Sequence, residues 1–308
     1  MISTLDIVSL VLAGLLGMVV GGNNLSACSG TIIGSGMVRR RTGILIAVAG
    51  YLAGLVLEGP KLFRVREVFL PVETSTQVLS VLLATLLVFM GGELFKIPLS
   101  LSKALTGGIF GVSLATGLLT QTSFLILILA IWALAPIGAT SFGVLMVALD
   151  KRLSPKNLWL KLTLLKTGLF IVSFLSAYVI GSNTLGLIAG VPYNQSLYAS
   201  MSVGLGSVLG AFLLGRGTLR RLSEGIFSLR YPDAFFSQLV GSATVEIASQ
   251  ISVPLSITET VSSGIIGSGL GAKMRVLNTR NVFLLISSWI ISPVVGFGVG
   301  YVLAVALH

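Results

Sequence analysis

The sequence predicts an all-α polytopic membrane protein built from two pseudo-symmetric, inverted repeats, with broken or re-entrant half-helices meeting at the membrane midplane. Composition is the first observation behind this. Of 308 residues, 54% are hydrophobic and 10% charged, and mean hydropathy is +1.01. A soluble domain carries about 25% charged residues. The second observation is a series of apolar runs near the ~20 residues needed to cross a bilayer. The third is a hydroxyl-rich motif written twice. Ile97-Pro98-Leu99-Ser100-Leu101-Ser102-Lys103 returns 156 residues later as Val253-Pro254-Leu255-Ser256-Ile257-Thr258-Glu259. Thr106, Gly108 and Gly111 correspond to Ser262, Gly264 and Gly267 at the same offset.

The first half offers spans at roughly 5–21, 42–58, 76–94, 98–118 and 122–149, judged by apolar run length. The second offers roughly 158–180, 183–215 with a break near Pro192, 236–252, 254–272 and 281–306. Ile7 to Val20 lacks a basic leader and is followed by further spans, so it reads as a retained helix rather than a cleaved signal. Asp150 to Lys156 is the natural divide. It gives a first repeat at 1–150, a connecting loop and linker helix at 151–180, and a second repeat at 181–308. The span near 158–180 has no counterpart at the start of the first half. Such an unpaired span inverts the second repeat if each repeat crosses an even number of times.

Twenty Lys and Arg against ten Asp and Glu leave a net charge of +10. Cytoplasmic loops that obey the positive-inside tendency account for most of that excess, and a basic protein also attracts an anionic solute. The basic residues sit in short loops between spans, which excludes nucleic acid as a partner and leaves the lipid bilayer. A single cysteine, Cys28, excludes a disulfide framework and a cysteine metal site. The one histidine is the last residue, His308, so no internal histidine serves as base or ligand.

Hydrocarbon offers no water to unpaired backbone, so a proline break inside a span needs a polar cavity beside it. Two such breaks at matching positions point to a transporter's substrate site. Half-helices that start there aim N–H groups and a positive dipole end at the cavity. Ser100, Ser102, Thr106, Ser256, Thr258 and Ser262 add hydroxyl donors, and Gly107, Gly108 and Gly264 allow close backbone approach. A second pair of polar breaks is read in Asn23-Asn24, followed by Gly34-Ser35-Gly36, and in Asn194-Gln195, followed by Gly204-Leu205-Gly206. Taken singly, each serine or glycine could simply pack helix against helix. Packing alone does not call for two prolines each followed by hydroxyls.

Lys103 and Glu259 hold the same position in the two copies. A lone charge near the bilayer centre costs at least ~2.5–3.5 kcal/mol, and pairing across a pseudo-two-fold axis reduces that. The pair could be a structural tie, or Lys103 could attract an anion while Glu259 carries a coupling proton or helps hold a cation. Glu93 and Glu246 are further candidates for a coupling carboxylate. Donors converging from two directions suit a tetrahedral oxyanion. No motif joins a nucleophile to a base, and no phosphate-binding loop is present, so an enzyme and an ATP-driven pump are both disfavoured.

These residues resemble the inorganic phosphate transporter (PiT) family, which includes bacterial sulfate permeases. Gly21-Gly22-Asn23-Asn24 is similar to its duplicated Gly-Ala-Asn-Asp-type motif. The two proline motifs look like its Pro-Val-Ser-Thr-Thr-His-type motif, and Trp289 with Ser292-Pro293 looks like its last span. The resemblance implies a multi-pass symporter of the cell membrane that imports inorganic phosphate. A proton or sodium ion would be coupled, no other cofactor is needed, and a homodimer is plausible by analogy. The departures are Asn24 where phosphate members have Asp, and Lys103 and Glu259 where they have His. Both lean toward a proton-coupled sulfate permease. A passive anion channel and a non-transporting membrane scaffold remain open.

Overall fold

The structure, a computed structural model, describes residues 3–34, 36–71, 74–95, 99–119, 121–153, 155, 157–215, 231–272 and 279–307. Ser35, Ile97, Pro98, Ser154, Lys156 and His308, all within the stretches used above, lie outside the described residues, as does the basic stretch Arg216 to Arg230.

Among the described residues the regular elements are helices. They are α1 (Thr4–Asn23), α2 (Leu25–Gly34), α3 (Arg40–Leu57), α4 (Phe63–Phe69), α5 (Ser75–Leu94), α6 (Leu101–Ala115) and α7 (Thr122–Leu153) in the first half. The second half holds α8 (Leu158–Val179), a π-helical turn (Ile180–Leu185), α9 (Gly186–Gly190), α10 (Ser196–Leu213), α11 (Tyr231–Gln250), α12 (Ile257–Gly271) and α13 (Thr279–Leu307). Side-chain caps set several starts by satisfying the first N–H groups. Ser3 and Asp6 form a reciprocal box on α1, as do Thr74 and Gln77 on α5, and Asn157 Oδ1 accepts from Trp159 and Leu160 on α8. Pro232 falls in the first turn of α11, where no backbone N–H is needed. The described helix already includes Tyr231, earlier than the apolar run suggests.

Seven segments of the described chain are long and apolar enough to cross a membrane. The protein is a multi-pass membrane protein. α6 and α12 differ from the rest: at 15 residues each they reach only about 22 Å, short of a ~30 Å hydrocarbon core. Each begins in the interior, after its break.

One offset runs through both halves. α3 and α10, α5 and α11, and α6 and α12 have bounds that differ by 156 residues at both ends. Helix neighbours correspond in the same way. α1 lies against α10 as α8 lies against α3, and α1 against α5 as α8 against α11. α6 runs along α13, whereas α12 runs along α7. Each half-helix thus packs on the long proline-containing helix of the opposite half. α8 occupies the place of α1, so the segment expected to be an unpaired linker has a partner in the packing. The offset also sets Asn23 and Asn24 opposite the π turn, not opposite Asn194.

The close approaches depend on missing side chains, the rule where lipid gives no hydrophobic drive to helix pairing. A Cβ on Gly210 of α10 would lie 1.8 Å from the Met18 carbonyl oxygen, and one on Gly21 of α1 would lie 2.0 Å from that of Ser207. Gly107, offered above as an approach to solute, is instead used for packing: its Cβ would meet the Pro293 carbonyl oxygen at 2.2 Å. Gly264 presses similarly on Ser237 backbone at 3.1 Å. Cys28 and Tyr51 are fully buried in this packing, with Sγ 3.4 Å from Oη.

Gly210→Ala is expected to force α1 and α10 apart and cost about 1–3 kcal/mol, the usual range for overpacking. A lower melting temperature of the detergent-solubilised protein checks this, with Gly91→Ala as the control, because nothing lies within 4 Å of a Cβ there.

Candidate functional site

Both breaks carry buried polar side chains. At the first, Ser100 is the N-cap of α6, and its hydroxyl accepts from the Lys103 N–H at 3.4 Å. Its own N–H donates to Ser292 Oγ of α13 at 2.8 Å. The second break follows α11. Ser252 adopts a left-handed φ of 62° while the Val253 N–H closes back on the Ala248 carbonyl at 2.8 Å. This is the wrap-up that normally uses glycine, and a side chain there costs about 1–2 kcal/mol. Trp132 Nε1 of α7 donates to the Pro254 carbonyl at 2.7 Å. In both breaks, therefore, a side chain from the opposite half's long helix satisfies the loose backbone.

Lys103 and Glu259 stand at the third position of α6 and α12, and the structure brings them together. Lys103 Nζ lies 2.8 Å from each Glu259 carboxylate oxygen. Relative exposures of 3% and 1% make this a fully buried pair. The Lys103 ammonium also sits 5.2 Å from the Trp132 ring centroid, a cation–π contact. Because these residues belong to the first turns, the contact makes the two helix N-termini face each other. Two positive dipole ends and one ammonium are met by one carboxylate, an arrangement that favours a further negative charge.

The hydroxyls partition around this pair. Ser102 Oγ is 2.9 Å from Thr184 Oγ1, and Thr106 Oγ1 donates to the Ser102 carbonyl at 2.8 Å. Ser256 does not cap α12 with its side chain; its Oγ lies 2.9 Å from Thr258 Oγ1. Ser256 is buried and Thr258 exposed, so the second break opens to the surface at Thr258. Ser262 is half-buried, one turn further along α12.

Other expected residues lie elsewhere. Asn23 and Asn24 sit half-buried at the bend between α1 and α2, where the Asn24 carbonyl accepts from the Ala27 N–H at 3.0 Å. Asn194 is exposed, and Gln195 hydrogen-bonds Asp6 in the first turn of α1. The two Asn motifs are thus at opposite ends of a 20-residue helix, about 30 Å apart. The structure does not bring them into one site. Glu93 is exposed near the end of α5. Glu246 is half-buried on α11, where Gln250 Nε2 donates to it and, at 3.0 Å, to Glu58 Oε2. Lys61 completes this cluster, 3.3 Å from Glu58. Burial pushes the Glu58 carboxyl up, but its hydrogen bond with Glu246 and the Lys61 ammonium outweigh that and hold it below the ordinary carboxylate value.

Two buried residues of this region went unread in the sequence: Asn183 and Thr184. The available signal was the short polar run Gly181-Ser182-Asn183-Thr184 between apolar stretches.

Breaking a buried ion pair leaves an uncompensated charge at about 3–5 kcal/mol, whereas replacing both partners by apolar groups is often neutral. Glu259→Leu alone should lower the melting temperature much more than Lys103→Met with Glu259→Leu together. A double-mutant cycle on detergent-solubilised protein measures the difference.

Comparison with known proteins completes the picture. The family model described as "phosphate transporter family" matches residues 20–177 and 160–300. The chain is 27% identical to the sulfate permease CysP of Bacillus subtilis, over 93% of this chain and 83% of that protein. It is 24% identical to a Methanocaldococcus jannaschii protein assigned as a phosphate permease, over 96% and 95% of the two. Its fold matches a solved sodium-dependent phosphate transporter with a TM-score of 0.84 and 16% identity, covering 99% of each chain. The chain belongs to the phosphate transporter family.

Proposed function

We propose that this protein is a secondary active transporter that imports an inorganic tetrahedral oxyanion, phosphate being the solute named for its family. The observation that carries the reading is the buried Lys103–Glu259 contact, which turns two hydroxyl-bearing helix N-termini toward each other. A tetrahedral anion has four acceptor oxygens, and donors arriving from two sides match that shape. The correspondence of the two halves supports alternating access about the breaks, with the repeats rocking around a fixed site. Ser100, Ser102, Thr106, Ser256, Thr258 and Ser262 supply donors, Lys103 supplies charge, and Glu259 supplies the coupling carboxylate.

One observation favours sulfate. At neutral pH phosphate keeps a P–OH that needs an acceptor, whereas sulfate has no proton to place. Among the described residues of the two breaks the carboxylate is Glu259; Lys103 lies 2.8 Å from both of its oxygens but hydrogen-bonds Oε1, while Oε2 is buried without a hydrogen bond. Hydroxyls and helix N–H groups stand beside it at the two helix starts. A P–OH would compete with the Lys103 ammonium for Oε2, a conflict that a fully deprotonated dianion avoids.

Uptake of radiolabelled sulfate and phosphate into proteoliposomes, under imposed proton or sodium gradients, tests both statements. The expected result is gradient-driven uptake of one anion, with KM raised about threefold to tenfold in Ser100→Ala or Ser256→Ala, the value of one hydrogen bond. Glu259→Gln should abolish the response to a proton gradient. Uptake that ignores both gradients would replace the transporter with a passive pore, and no uptake of either anion would leave a scaffold.

A further inference from the structure

We infer that the π turn Ile180–Leu185 is a clasp that positions both breaks at once, with Asn183 and Thr184 as its two positioning residues; the inference rests on the transport reading above. α8 runs as an α-helix to Val179, widens for six residues, and resumes as α9 at Gly186. A π turn is intrinsically poorer than the α-helix around it and persists where something outside the helix holds it, often at functional sites. The turn is pressed on α3, where a Cβ on Gly181 would lie 2.2 Å from the Tyr51 carbonyl oxygen, and buried side-chain hydrogen bonds tie it to the two breaks.

Asn183 is fully buried, and its amide is completely used. Oδ1 accepts from the Leu255 N–H at 2.9 Å. Nδ2 donates to the Val253 carbonyl at 3.0 Å and to Ser249 Oγ at 2.9 Å. Every one of these partners belongs to the end of α11 or the second break. The bonds straddle Pro254, which has no N–H and whose carbonyl is taken by Trp132. One side chain thus replaces both of the backbone partners that helix or sheet would have supplied there.

The next residue turns to the other half. Thr184 Oγ1 lies 2.9 Å from Ser102 Oγ, with both side chains buried. Ser102 precedes Lys103 in the first turn of α6. Adjacent residues in a regular helix project about 100° apart, and here those two directions are the two half-helix starts. Either hydroxyl can donate in this contact, and in both cases Thr184 fixes the position of Ser102 Oγ and leaves one proton of the pair for a further acceptor. In the transport cycle the clasp keeps the α6 and α12 N-termini in one relative placement.

The test is uptake kinetics of radiolabelled sulfate and phosphate in proteoliposomes for wild type, Thr184→Val, Thr184→Ser and Asn183→Ala, with melting temperatures alongside. Thr184→Val keeps shape but removes the hydroxyl. It should raise KM about threefold to tenfold with Vmax and melting temperature unchanged, and Thr184→Ser should restore the wild-type KM. Asn183→Ala should lower Vmax at least tenfold in protein that still elutes as one species. Wild-type kinetics in Thr184→Val, or a KM change that Thr184→Ser fails to rescue, would overturn the clasp while leaving the transport reading intact. Absence of uptake by the wild type would overturn both.

Discussion

The ammonium of Lys103 has to be neutralised inside a membrane protein, and Glu259 is what neutralises it. Much of the architecture serves that contact. For two residues so far apart in sequence to meet, α6 and α12 must both begin in the interior and point their first turns at each other. Interior beginnings require breaks, and breaks require partners for loose backbone groups. Ser292, Trp132 and Asn183 are those partners. The polar site thereby follows from a single electrostatic requirement, stated twice in the chain and answered once.

A second constraint interlocks the halves. Neither half-helix packs chiefly on its own half: α6 lies along α13 and α12 along α7. Contact at carbonyl distance, with glycines such as Gly107 and Gly267 pressed on the facing backbone, lets dispersion and close packing replace the hydrophobic drive that lipid does not provide. The Ser252 strain and the π turn are then local costs carried where the helices must change course.

Much of this was legible in the sequence. Apolar length marked the spans, and the repeated Pro-x-Ser-x-Ser/Thr pattern marked the half-helix starts. The shared position of Lys103 and Glu259 pointed to their contact. What was not legible depends on tertiary register. Asn194 looked like the partner of Asn24 because each precedes a Gly-x-Gly. Glycines in these helices recur for packing, however, and so mimic a repeat at a false offset. Asn183 and Thr184 were hidden because Gly181 to Gly186 reads as one more small-residue packing stretch inside an apolar helix. Their role comes from partners some seventy to eighty residues away, and no local periodicity encodes it. Glu246, read as a buried coupling acid from its apolar neighbours, joins Glu58 and Lys61 at a helix end, because the residues that surround it come from another element.

The same ion pair has a consequence for how the chain is made. Lys103 enters the membrane region 156 residues before its counter-charge has been synthesised, a wait on the order of 10–30 s at ~5–20 residues per second. Ser292, which holds the first break, comes later still. During that interval α6 has neither its neutralising carboxylate nor the helix it packs against, so the first half is inserted before it can be finished. Biogenesis must therefore hold an incomplete, positively charged hairpin near the insertion machinery or at the membrane interface until the last helix arrives.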